Sequence, residues 1–271
     1  MEEPYYMTVS YRKMAAEKCA DTQYPLAEDP ATYSRQTQQM SLFDLSANGQ
    51  NNGQEAFRDP AFRDNRSLSI HRWVPWIAGY SAAFVDDVIS AFVPAHKTAL
   101  MLDPFCGVGT TLLQAVSRGH HAIGFEINPY PVLATRAKLS APTINLVELD
   151  ATLDAMQTLA EVWHTATVAK STIPPRFKSR LPFFSSAIEK QVLHALDFIN
   201  TITSEPIARL CRAAFGAVMV SFSNYSYEPS LGSRPAAGKP LIEAADINRI
   251  LLGKLHQMRT DIAQIQLATR G

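Results

Sequence analysis

The apolar positions of this chain change their period several times, and the changes outline its elements. Phe84, Val85, Val88, Ile89 and Phe92 recur at helical spacing, with Ser81 placed to cap the helix start. Thr98 to Leu102 is a short apolar run of strand length, followed by Gly107 and Gly109. Thr110 opens a second helical pattern through Leu112, Leu113 and Val116, which Gly119 ends. His121 to Phe125 reads as a second strand with Glu126 at its carboxyl end, and Asn128-Pro129 starts another helix through Val132, Leu133, Arg136 and Ala137. Beyond this point no stretch reads convincingly as a strand. Asp150 is placed to cap a helix carrying Leu153, Met156, Leu159 and Val162, and Ile173-Pro174-Pro175 interrupts the pattern. Ser185 or Ser186 begins a helix with Ile188, Val192, Leu196 and Ile199 on one face. A buried helix follows around Leu210 to Val220. The clearest amphipathic helix runs through Ile247, Ile250, Leu251, Leu255, Met258, Ile262 and Ile265, with Asp246 as its cap.

Polarity divides the chain into three parts. Residues 1–66 are polar and weakly periodic, with Gln36, Gln38, Gln39, Asn48, Gln50, Asn51, Asn52 and Gln54 crowding the middle, so a partly disordered arm is expected. Residues 67–141 carry the strand–turn–helix pattern, and residues 142–271 are helical. Within the arm, Gln39-Met40-Ser41-Leu42-Phe43-Asp44-Leu45 is an apolar island. It is similar to the peptide that binds the bacterial sliding clamp; the other reading is that Leu42, Phe43 and Leu45 pin the arm to the domain.

Composition narrows the class. A hydrophobic share of 46% and a charged share of 18% support a sizeable core. Lys plus Arg equals Asp plus Glu at 25 each, so a nucleic-acid surface would be a local basic face. Lys170, Arg176, Lys178 and Arg180, with Phe177 and Phe183-Phe184 nearby, are the candidate for DNA phosphates; a solvated linker is the alternative. Cys19, Cys106 and Cys211 are far apart, which argues against a disulfide framework or a zinc site. No apolar run reaches membrane-spanning length, and a cytoplasmic protein with no membrane partner is expected.

The chemistry concentrates in Asp103-Pro104-Phe105-Cys106-Gly107-Val108-Gly109-Thr110-Thr111. Two glycines let the backbone turn sharply and approach a ligand. A dinucleotide site is disfavoured, because position 112 is Leu where Gly-x-Gly-x-x-Gly needs its third glycine, and because Asp103 would repel a pyrophosphate. A cationic ligand would welcome that carboxylate. The stretch resembles the cofactor motif of S-adenosylmethionine-dependent DNA amino-methyltransferases, which methylate the exocyclic amine of adenine (N6) or cytosine (N4).

The resemblance implies an α/β fold with a partial Rossmann-like class I methyltransferase sheet and a large helical insertion or extension. It implies S-adenosyl-L-methionine as cofactor, with Asp103 at the amino-acid end, Pro104, Phe105, Gly107, Gly109 and Thr110 shaping the turn, Glu126 on the ribose hydroxyls and Asn128 beside it. Trp73, Trp76 and Tyr80 either line that site or plug the core, and His71 is structural or a hydrogen-bonding group. The family's catalytic Asp/Asn/Ser-Pro-Pro-aromatic motif is not recognisable. The nearest stretch, Ser223-Asn224-Tyr225, lacks both prolines, so the catalytic residues are unassigned. A truncated or split enzyme is therefore expected, acting on double-stranded DNA with a second chain that carries the catalytic half. The alternatives are a non-catalytic DNA- or partner-binding fragment, and a methyltransferase acting on RNA or a small molecule.

Overall fold

The computed structural model describes residues 5–10, 57–77, 79–163, 168–173, 179–227 and 231–268. The proposed clamp peptide Gln39–Leu45 lies outside them, as do Arg176 and Lys178 of the basic run.

The sheet has three strands in the order β1 (Tyr5–Ser10), β3 (His121–Glu126), β2 (Leu100–Asp103). Strands β2 and β3 are parallel, in register from Leu100 opposite His121 to Asp103 opposite Gly124. They are joined by α2 (Thr110–Ser117), a right-sized crossover for a parallel pair. Strand β1 pairs antiparallel with β3, from Tyr5 opposite Glu126 to Ser10 opposite His121. Part of the stretch expected to be a polar arm is thus a sheet strand: Tyr5, Met7 and Val9 alternate in the sequence with Tyr6, Thr8 and Ser10, and the segment pairs with β3. Residues 57–66 are also ordered against the domain: Phe62 is buried, and Asn65 bridges the Tyr80 carbonyl and the Ala82 N–H.

The sheet is covered on one face. Ala122 and Gly124 pack on α2, where Leu112 is fully buried, and a Cβ on Gly124 would come within 2.9 Å of Leu112 and of Cys106. On the opposite face Leu100 and Leu102 are each 63% exposed, and β2 forms an unpaired edge among the described residues. α1 (Ala82–Phe92) lies against α2, capped by the Ser81 hydroxyl, which accepts the Phe84 N–H at 3.0 Å.

After α3 (Pro129–Leu139) the chain is helical: α4 (Leu146–Trp163), α5 (Ser186–Thr201), α6 (Glu205–Val218) and α7 (Ile247–Ala268). A two-residue ladder, Tyr225–Ser226 with Gly232–Ser233, is the remaining β structure among the described residues. The expected cap Asp150 sits inside α4. Asn145 caps that helix instead, its Oδ1 accepting the Val147 and Glu148 N–H groups, while Asp150 pairs with Arg259 on α7 at 2.7 Å. A carboxylate one turn further along the chain was free to reach across to another helix. The buried helix around Leu210 ends at Val218 and tightens into a 3₁₀ turn, Met219–Phe222.

One core joins the sheet half to the helical half, with Trp73, Val74 and Val108 meeting Leu149, Ile207, Leu210 and Leu255. Asp261 on α7 pins the junction. Its buried carboxylate accepts from Trp73 Nε1 at 2.9 Å, from Arg72 Nε at 3.1 Å and from the Ile70 N–H at 3.3 Å. Ile70 has φ +63°, strained for a β-branched residue, and the three bonds to Asp261 hold that turn in place. No helix among the described residues is long and apolar enough to cross a membrane.

Candidate functional site

Strand β2 ends in a buried carboxylate. Asp103 stands at its carboxyl end, and its Oδ1 accepts the Phe105 N–H at 3.0 Å, which closes a small turn over Pro104. Gly107 (φ +49°) and Gly109 (φ +82°) follow, both in the left-handed region that favours glycine. The second is also required by space, since a Cβ on Gly109 would meet Thr135 at 2.5 Å. The Gly109 N–H donates to the Cys106 carbonyl at 2.8 Å, and the Cys106 N–H donates to the Phe125 carbonyl at 3.0 Å, so the turn is anchored to β3.

A cavity of about 340 Å³ opens on this turn, lined by Asp103, Phe105, Gly107 and Thr110 from one side and Phe62, Trp76, Gly79 and Tyr80 from the other. That is within the size range of small-molecule sites, about 300–1,000 Å³, and the mix of aromatic walls with one carboxylate suits a part-apolar, part-cationic ligand. Trp76 lies over Gly107, its Nε1 3.1 Å from where a Cβ would be. Trp76 and Tyr80 therefore face the cavity, whereas Trp73 is buried in the core. The Phe105 ring is 87% exposed at the rim.

The other sequence-derived residues are placed as follows. Pro104 is exposed in the turn, and Gly109 lies buried behind it. Glu126 ends β3, and its Oε1 accepts the Asn128 N–H at 2.8 Å; Asn128 in turn caps α3, its Oδ1 accepting the Tyr130 N–H at 3.1 Å. Neither is among the residues lining the cavity. Cys106, inside the motif, is not a nucleophile. Burial, with the Asp103 and Glu126 carboxylates adding to it, pushes its thiol up to about 12. His71 is buried and bonds Gln114 at 3.2 Å, and loss of water lowers its imidazole to about 4, so it stays neutral.

Ser223-Asn224-Tyr225 is built differently. Asn224 is buried, donates from Nδ2 to the Pro182 carbonyl at 3.1 Å and accepts the Ile242 N–H on Oδ1 at 3.0 Å. Tyr225 stacks on Phe183, and Phe184 stacks on Phe222. The amide is engaged in holding the loop, and Phe183 and Phe184 pack on each other and on Tyr225 and Phe222; Phe177 lies outside the described residues. Lys170 and Arg180 are exposed at the two described ends of that run.

Residues 7–135 match the family model for N6/N4 methyltransferases, described as DNA methylase. The match runs from β1 through the glycine turn and into α3. Over that stretch the chain is similar to the N6/N4 DNA methylase family. It is 28% identical over 130 residues to the type II methyltransferase M.BsoBI of Geobacillus stearothermophilus, covering 46% of this chain and 25% of that protein. It is 34% identical over 62 residues to the type II methyltransferase M.MjaII of Methanocaldococcus jannaschii, covering 22% of this chain and 12% of that one. A third relative, an uncharacterized RNA methyltransferase of Parasynechococcus marenigrum, is 33% identical over 54 residues, covering 20% of this chain and 12% of its own length. The matched part thus spans a quarter or less of each of these relatives. No solved structure is a significant match.

Two features of the site escaped the sequence reading. Phe62, a cavity wall, lay in a stretch assigned to the polar arm, and only the pairing of Ala61 with Tyr80 brings it to the turn. Thr135 and Lys138, buried behind the turn, were not singled out from the sequence, where nothing in their spacing marks them.

Proposed function

We propose that this chain is the S-adenosylmethionine-binding half of a DNA amino-methyltransferase acting on N6 of adenine or N4 of cytosine. The observation that carries the reading is the buried carboxylate of Asp103 at the mouth of an aromatic-walled cavity, beside two glycines with positive φ. The residues fit the cofactor. Asp103 would face its cationic amino-acid end, Gly107 and Thr110 would lie along it, and Trp76, Tyr80 and Phe105 would provide apolar contact for the adenine. Glu126, at the carboxyl end of the neighbouring parallel strand, is on the side where open α/β sheets bind ligands, and would accept from the ribose hydroxyls. The cofactor supplies an electrophilic methyl group. The chain's part is to hold it at a fixed angle and to exclude water with the aromatic wall.

The residues that position the target amine would come from elsewhere, as in a truncated or split enzyme. Asn224 is buried with its amide engaged by the Pro182 carbonyl and the Ile242 N–H, and Ser223-Asn224-Tyr225 lacks the prolines of the catalytic motif. The edge of β2, unpaired among the described residues, and the exposed Leu100 and Leu102 would give the completing strands a place to add. Double-stranded DNA, with its target base flipped out, would then lie across the joined surface.

Calorimetry with S-adenosylmethionine tests the cofactor reading. Wild type binds, and Asp103→Asn, which keeps the bond to Phe105 N–H but removes the charge, binds about tenfold or more weakly, as expected for a lost charge-assisted contact. Equal binding by both proteins would sink the reading. Methyl transfer from labelled cofactor to duplex DNA tests the rest: the pure chain alone gives none, and a polypeptide bearing the Pro-Pro-aromatic half restores it.

A further inference from the structure

Thr135 and Lys138 stand one turn apart on α3, and both are buried behind the cofactor turn, Lys138 being 1% exposed. The Thr135 hydroxyl donates to the Gly107 carbonyl at 3.0 Å, and Lys138 Nζ donates to the Val108 carbonyl at 3.1 Å. Successive carbonyls of one turn are thereby drawn toward the helix. In a trans peptide the N–H points opposite to the C=O, so drawing back the Gly107 carbonyl turns the Val108 N–H toward the cavity side. Gly107 and Val108 both line that cavity. A lysine ammonium almost wholly out of water is expensive to keep, and a helix residue there would ordinarily be apolar.

We propose that Thr135 and Lys138 are positioning residues, which fix the peptide planes of the glycine turn so that it presents a preformed surface to the cofactor. The inference rests on the reading of the cavity as an S-adenosylmethionine site. It makes the strength of the brace depend on the proton of Lys138. Burial, with repulsion from Lys254 on α7 adding to it, lowers this ammonium to about 7. The charged and titratable groups around it are His71 from the 3₁₀ turn His71–Trp73 and Lys254 from α7, with Arg72 and Asp261 beyond Lys254. An ammonium gives a stronger bond to a carbonyl than a neutral amine does, so the brace is tighter below about pH 7. Stability moves the other way. The unfolded chain keeps this proton up to the ordinary lysine value of 10.5, so the burial cost is fully present below pH 7 and fades as pH rises from about 7 to 10.5.

The opposed signs provide the test. Thermal unfolding, calorimetry with S-adenosylmethionine and amide hydrogen exchange of the peptide spanning residues 106–111 are compared in wild type, Lys138→Met, Thr135→Val and Thr135→Ser. Lys138→Met raises Tm at pH 6 yet weakens the cofactor about tenfold, the loss of one hydrogen bond. The ratio of wild-type to Lys138→Met affinity shrinks between pH 6 and pH 9, a comparison in which the cofactor's own titration cancels. Thr135→Val weakens binding similarly and Thr135→Ser restores it. Both losing variants exchange faster at the turn without any cofactor present. Faster exchange in the two variants, with a wild type that binds no cofactor, would refute the cofactor reading and keep the brace. Unchanged exchange in Lys138→Met and Thr135→Val, or affinity that simply tracks Tm, would overturn the brace.

Discussion

Two polar turns of this molecule carry glycine, aromatic residues and hydrogen-bonding side chains, and they have opposite characters. The turn at 103–111 is held from behind, with Thr135, Lys138 and Phe125 taking up its backbone, and it leaves a carboxylate and an aromatic wall around an open cavity. The loop described at 223–227 and 231–240 spends its side chains on backbone and side-chain groups of its own and of flanking segments. Asn224 bridges Pro182 and Ile242, Arg234 Nε donates to the Pro240 carbonyl at 2.7 Å, and Lys239 Nζ reaches Ser226 Oγ at 3.2 Å. The comparison teaches that polar residues in a turn signal a ligand site only when their hydrogen-bonding capacity is left unspent. When a loop uses its own side chains to satisfy its own backbone, the same composition signals a structural closure.

Substitutions can break this contrast, the largest effect coming first. Gly109→Ala combines a positive φ with a clash against Thr135 at 2.5 Å, and should cost about 3 kcal/mol of stability from backbone strain and overpacking, together with cofactor binding. Chemical denaturation and calorimetry on the same variant check both. Asn224→Ala should cost about 2 kcal/mol by leaving the Pro182 carbonyl and the Ile242 N–H unpaired, with cofactor affinity unchanged. Affinity falling with it would show the loop to be part of the site. Trp76→Ala should weaken S-adenosylmethionine by about 1 kcal/mol through lost aromatic contact and lower Tm as well, because Trp76 both lines the cavity and packs against the core. The smallest effect is expected at Cys106. With its thiol pushed up to about 12 and buried, iodoacetamide at pH 8 should leave it unmodified in native protein, and mass spectrometry after denaturation should find it intact. Rapid native labelling would mean that the turn opens.

The open sheet edge makes a second contrast, between a face sealed by α2 and a face where Leu100 and Leu102 stand in solvent. Apolar residues on both faces of a parallel strand are what a sheet covered by helices on both sides requires. The pattern of Leu100-Met101-Leu102 therefore already contained a second apolar face, which no described element covers. The sequence could not say which face would be sealed by its own helix, since a continuous apolar run has no period to mark it.

Local chemistry was readable where a residue's role depends on its neighbours in the chain. The left-handed glycines, the Ser81 cap, the parallel strand pair around a short helix and the acid at a strand end all follow from backbone sterics and spacing within about thirty residues. Roles that depend on distant partners were not. Asp150 read as a cap because Asp is a good cap, and it became a partner of Arg259 because a helix 109 residues away came within reach. Strand β1 was hidden in a polar stretch because edge pairing needs only an exposed ladder, and that ladder sits more than a hundred residues downstream. By itself the sequence determined the glycine turn, its acid and the α/β order around it, because these are set by φ, by charge and by short spacing. Only the tertiary structure decided that Trp76 and Tyr80 face the cavity while Trp73 does not, that Asn224 is spent, and that Thr135 and Lys138 stand behind the turn, because burial and hydrogen-bond satisfaction belong to the packed chain.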